Sequence, residues 1–184
     1  LGDNSELTGA SMQINYDEVH KTTKIWRDNS VQSGKKWVIT NDEQASGVPP
    51  DNHIPVQERD LDYPQSDIRK YTLWGNLMAG GSGVEYYFGY QWAACSDLTC
   101  HDFSFYDNLW DETRYALTFF RNNLPFWEME NYNELVGNNN DDNSKYCLAK
   151  PNEVYVVYYS NASNTGTIDL SGVNELTNLR WFNP

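Results

Sequence analysis

The order of local patterns along the chain restricts its fold more than any other feature. Across residues 17–33, Val19, Thr23, Ile25 or Trp26, and Asn29 or Ser30 recur near helical spacing, and Ser33-Gly34 supplies a stop. Trp37-Val38-Ile39-Thr40 is then a short, β-prone apolar run, bounded abruptly by the polar Asn41-Asp42-Glu43-Gln44. Residues 45–66 contain Pro49, Pro50, Pro55 and Pro64 without periodicity and read as a long loop. A second helix is expected from Ser66 or Asp67, through Ile68, Tyr71, Leu73-Trp74 and Leu77-Met78, to Ala79-Gly80-Gly81. Gly83 to Tyr90 reads as a strand, and a third helix is expected over about 106–122, with Leu109-Trp110, Thr113, Ala116-Leu117 and Phe120 on one side. Helix and strand alternate with crossover-length connections, which predicts a parallel sheet covered by helices, an α/β arrangement.

The texture changes at Gly137. Asn138 to Lys145 is rich in Asn and Asp, without an apolar residue, and reads as a linker. Beyond it, Val154–Tyr159, Thr167–Leu170 and Leu179–Phe182 read as short strands separated by turn residues, with no room for helices between them. The expected division is therefore an α/β portion over 1–136, a linker over 137–145, and a small all-β, sandwich-like domain over 146–184. Leu1 opens directly into a polar stretch and Pro184 follows an apolar run, so the functional protein is expected to be longer than this chain.

Charge removes several classes of partner. With 26 acidic against 13 basic residues, a net charge of −13 cannot neutralise a phosphate backbone, and an anionic membrane surface is disfavoured for the same reason. No apolar run approaches the roughly 20 residues of a membrane span. Aromatic residues make up 15% of the chain, which suits a packed core and also suits ligands that stack, sugar rings among them. Cys95 and Cys100 enclose a short loop and are read as a disulfide or as free thiols; their spacing does not match a zinc framework, so no metal or other cofactor is expected. Asp141-Asp142-Asn143 lacks the alternating ligands of a calcium loop. Asn161-Ala162-Ser163 fits a glycosylation acceptor triplet of the kind that also arises by chance.

The strongest chemical signal is the carboxylate cluster after the Trp37–Thr40 run. Glycosidic cleavage needs two carboxyl groups flanking the anomeric carbon, one donating a proton and one attacking directly or activating water. A nucleophilic carboxylate must be rigidly held, and a strand end with hydrogen-bonding neighbours suits it. Glu43 fits that role, with Asn41, Asp42 or Gln44 available to orient it. The same residues also fit a solvated turn.

Several segments carry a family resemblance: Leu7–Gln13, Trp37–Gln44, Gly47–Asp51, Leu73–Tyr87 and Arg180–Pro184. In these the chain resembles the barrel hydrolases of the large retaining clan that includes cellulases and apiosidase-like enzymes. Within that clan it looks most like bacterial polysaccharide-utilisation proteins whose C-terminal region is described as collagen-binding. The resemblance implies the end of barrel strand six, strands seven and eight with their helices, and the start of a C-terminal sandwich. It places the nucleophile of a retaining mechanism at Glu43 and the acid/base on strand four, outside this chain. It further implies a carbohydrate substrate from plants or algae, a secreted, periplasmic or cell-surface protein, and the N-terminal part of the same protein as partner.

Other residues bear on the substrate. Glu85 follows the small-residue run Ala79–Gly83, which allows close backbone approach; it is read either as a ligand of a substrate hydroxyl or as core packing. Tyr87 and Trp92 are candidates for stacking on a sugar face, Gln13 for reaching the substrate from the preceding strand, and His53 for contact from the Pro-rich loop. His20 and His101 are read as incidental. Two competing functions remain: a non-catalytic module gripping carbohydrate or collagen through exposed aromatics, and a lyase using His53 with a nearby Tyr.

Overall fold

A computed structural model describes residues 4–45, 47, 64–87, 103–161, 166–175 and 178–183. Strands β1 (Gly9–Met12), β2 (Val38–Ala45) and β3 (Gly83–Tyr87) form a parallel sheet in the order β1-β2-β3. Helix α1 (Val19–Gln32) connects β1 to β2. It turns Val19, His20, Thr23 and Ser30 inward and lays Trp26 parallel to Trp37, ring centroids 6.1 Å apart. Arg27 Nη1 donates to the Trp37 carbonyl at 2.8 Å, tying the helix to the start of β2. The helix stops at Ser33-Gly34, where Gly34 takes φ +90°, a left-handed conformation that favours glycine.

The connection from β2 to β3 carries a helix of mixed pitch: α2 (Gln65–Asp67), a π-helical segment (Ile68–Leu73) and α3 (Trp74–Met78). Pro64 precedes it with its fixed φ of −63°. In the wider turn Ile68 and Leu73, five residues apart, are both buried, and Thr72 joins them inside. A short 3₁₀ turn (Phe103–Tyr106) leads into α4 (Asp107–Asn123), which buries Leu109, Ala116 and Phe120 at helical spacing.

The second sheet is antiparallel: β4 (Glu130–Asn131), β5 (Lys145–Lys150) and β6 (Val154–Tyr159), in the order β4-β5-β6. A tight turn at Pro151-Asn152-Glu153 pairs Lys150 with Val154, and Asn152 takes φ +68° there. This sheet shares a core with the helices. Trp74 of α3 stacks on Tyr158 of β6 at 4.9 Å and 5°, and Leu73, Met78, Phe120, Tyr146 and Leu148 close around them.

Two expectations are corrected. The stretch read as a linker is fastened to its surroundings. Asn138 is 3% exposed, its amide donates to the Asp142 and Lys145 carbonyls, and Asn143 Nδ2 reaches back to the Asp17 carbonyl. Asn and Asp are frequent here because their short side chains bond nearby backbone. The runs 167–170 and 179–182 are not strands. Asp169 N donates once to the Leu135 carbonyl, and Phe182 leans on Phe119, 4.4 Å between ring centroids, while Trp181 is 90% exposed. Ile168 packs against the Val136, Cys147 and Ala149 cluster without backbone pairing, because β propensity reports how a side chain fits its surroundings more than a backbone preference.

Candidate active site

Side chains alternate across the parallel sheet, and the alternation separates its two faces. Met12 and Ile39 pack with Trp37 and Trp26 beneath α1, and Tyr86 packs against Ile68, Tyr106 and Leu109. Gly9, Ser11, Val38, Thr40, Asp42, Gly83, Glu85 and Tyr87 therefore share the opposite face, and Ser11, Val38 and Glu85 are exposed on it.

The polar cluster read as the boundary of a short strand instead lies inside β2. The strand continues to Ala45 because its ladder with β3 resumes after an irregularity: Asn41 pairs with Val84, then Gln44 with Tyr86 and Ala45 with Tyr87. Two residues of β2, Asp42 and Glu43, thus stand against one residue of β3, Glu85. This is a β-bulge, and it leaves the middle strand with one residue more than its neighbour. Glu43 absorbs the irregularity at φ +55°, an unusual conformation for a non-glycine residue.

The bulge also splits the cluster into two directions. Asp42 accepts a hydrogen bond from the Ser11 hydroxyl on β1, and Glu43 is exposed. Asn41 and Gln44 are buried on the helix side. Asn41 Nδ2 donates to Gln44 Oε1 at 3.2 Å, Gln44 Nε2 donates to the Ala45 carbonyl at 3.3 Å, and Thr72 of the π-helical segment lies 3.4 Å from Gln44 Oε1. The amides on either side of Glu43 are thereby joined to each other and to the helix behind, and this fixes the backbone from which Glu43 projects.

The glycine run before β3 has a definite use. A Cβ on Gly81 would stand 2.3 Å from Asn76 Oδ1, so only glycine lets this turn close over the Asn76 side chain. Asn76, fully buried, accepts from the Gly83 amide at 2.9 Å and lies 3.2 Å from the Thr23 hydroxyl and 3.4 Å from the Ile39 carbonyl. One side chain therefore joins α1, β2 and the start of β3.

Of the expected site residues, Asp42, Glu43, Glu85 and Tyr87 come together on neighbouring strands, and Gln13 lies exposed one residue beyond β1, whose Met12 pairs with Asn41. His53, Trp92, Cys95 and Cys100 lie outside the described residues. The reading of His20 as incidental is corrected: it is fully buried and hydrogen-bonded through both ring nitrogens. Ser11 and Thr72 were not expected. Ser11 is two residues before Gln13, so the period of a strand places both on one face; Thr72 carries no comparable signal. Among the described residues, no group of three or more His, Cys, Asp or Glu side chains could hold a metal ion. No helix among them is long and apolar enough to cross a membrane.

Chemically, the face offers carboxylates at Asp42 and Glu85, a hydroxyl at Ser11, an amide at Gln13 and an aromatic ring at Tyr87, and the Glu43 carboxylate is exposed at the bulge beside them. Such groups can accept hydrogen bonds from hydroxyl-rich ligands, and a held carboxylate can attack an electrophilic carbon. No protein-family model, characterised protein or solved structure matches this chain.

Proposed function

We propose that the chain is the C-terminal part of a (β/α)8-barrel glycoside hydrolase acting on a plant or algal saccharide by a retaining mechanism, with Glu43 as nucleophile. The observation that carries this reading is the bulge in the middle parallel strand, which holds Glu43 at φ +55° between two anchored amides and opposite Glu85. Strained backbone at a projecting carboxylate is a feature of sites where position matters more than stability.

The sheet supports the barrel part of the proposal. Parallel sheets are ordinarily covered on both faces; among the described residues, this one has helices on one face, while Ser11, Val38 and Glu85 are exposed on the other. Closing five further βα units onto it would turn that face inward and gather the C-terminal ends of the strands, where barrel enzymes keep their chemistry. The acid/base would come from strand four of the missing part, and Gln13, Asp42, Glu85 and Tyr87 would meet the substrate. A secreted, periplasmic or cell-surface location goes with a polysaccharide substrate.

In this mechanism Glu43 attacks the anomeric carbon while the acid/base protonates the departing oxygen. Water then releases the glycosyl ester as the same group acts as base. In the intact protein, Glu43→Gln is expected to lower kcat by more than about a thousandfold while sugar binding persists. Unchanged turnover would remove Glu43 from the reaction. One exposed aromatic pair that a binding module could use is Trp127, 64% exposed, beside Phe126. Those rings meet at 79°, however, and a sugar-binding platform needs coplanar rings.

A further inference from the structure

His20 lies in the interior of the molecule, 0% exposed, and its hydrogen-bond partners fix which proton it carries. Its Nδ1 is 2.9 Å from the Gly75 carbonyl oxygen; a carbonyl only accepts, so Nδ1 holds the hydrogen. Nε2 is then a bare acceptor, 2.8 Å from Asn133 Nδ2. The Asn133 amide cannot turn over to offer its oxygen. Its Oδ1 already accepts from the Cys147 amide at 3.0 Å and from Asn131 Nδ2 at 2.9 Å, and its Nδ2 also donates to Asp141 Oδ1 at 2.9 Å. The imidazole ring lies flat on Tyr146, 3.9 Å between centroids. One side chain of α1 thus touches α3 through Gly75, the turn at Asn133, and β5 through Tyr146.

We propose that His20 is an acid-sensitive latch that fastens the antiparallel sheet to the helices backing the parallel sheet. A second proton on the ring would aim an N–H at the Asn133 NH₂ group, which has no lone pair to receive it. The latch therefore closes only on the neutral imidazole. Of the charged groups around the ring, Asp141 and Asp142 favour a second proton, and Lys24 on α1 opposes it. α3 meets the ring with the Gly75 carbonyl, and β5 meets it with Tyr146, whose phenol burial holds well above its usual range. Desolvation outweighs the rest and holds the imidazole down to about 4.

The sign follows from that displacement. Above pH 6.5 His20 is neutral in folded and unfolded chains alike, and the latch is intact. Between 6.5 and about 4 the unfolded chain takes a proton that the folded one refuses, so the folding constant falls about tenfold per pH unit on this account alone. Below about 4 this loss stops. The latch does not depend on what Glu43 does.

A proton NMR titration of the three histidines in the folded protein tests this, with His20 identified by its loss in His20→Gln or by its contacts with Tyr146. The His20 resonance is expected to stay constant to about pH 5 and to titrate near 4; a midpoint near 6.5 in folded protein overturns the proposal. His20→Gln supplies the second measurement, because it removes the ring that titrates and leaves the surrounding carboxylates as they are. Between pH 7 and pH 5 the wild-type folding constant is expected to fall about twentyfold further than that of the variant. Equal falls contradict the latch, and the wild-type titration decides alone if the variant does not fold.

Discussion

Glu43 holds a conformation that suits glycine better than any other residue, and a left-handed backbone costs about 1 to 2 kcal/mol for a residue with a Cβ. The account therefore predicts a trade between stability and activity at this position. Glu43→Gly is expected to stabilise the fold by about 1 kcal/mol while removing turnover in the intact protein. Urea unfolding checks the first half, and a variant less stable than wild type would refute it. Asn76 works in the opposite sense. Asn76→Ala would leave the Gly83 amide without its partner in a part-buried turn, at an expected cost of roughly 2 to 3 kcal/mol. The carboxylate cluster was legible in the sequence because four polar residues interrupt an apolar run. The division of that cluster was not, since a strand period alone puts Asn41 and Glu43 on one face and only the bulge separates them.

At the scale of elements, apolar patterning carried α1, the start of β2, the helix before β3, β3 itself and the helix over 107–123, whereas β1 was expected only through the family resemblance. It did not carry the π-helical turn at Ile68–Leu73, since a pattern of inward residues five apart disappears into ordinary helical spacing. That turn presents Thr72 to both the Tyr16 carbonyl, at 3.2 Å, and Gln44 Oε1. Thr72→Val keeps the volume and removes the hydroxyl. It is expected to cost about 1 kcal/mol and to lower kcat more than it changes KM, because the bulge behind Glu43 loosens. Equal kcat values for wild type and variant would separate the π-helical turn from the site. The irregular runs at 167–170 and 179–182 show the converse limit of sequence: a β-prone run can partly bury side chains, as Ile168 does, without pairing its backbone.

For the whole molecule, the core does not divide where the sequence changes texture. Trp74 is 2% exposed and contacts Phe119 and Phe120 of α4 as well as Tyr158 of β6. Trp74→Ala is accordingly expected to cost about 3 to 5 kcal/mol, with helices and antiparallel sheet unfolding in a single transition. Two separate transitions in the wild-type chain would show the sheet to be independent. Of the all-β run expected beyond the texture change, only Val154–Tyr159 is a strand, and the shared core was not legible because Tyr158 gives no local sign of facing Trp74. The central claim, a nucleophilic Glu43, is tested most directly by trapping. The intact protein would be incubated with a series of 2-deoxy-2-fluoroglycosides carrying good leaving groups, digested, and its peptides weighed. A fluoroglycosyl ester on Glu43 is the expected result, and an ester on any other carboxylate would contradict the account.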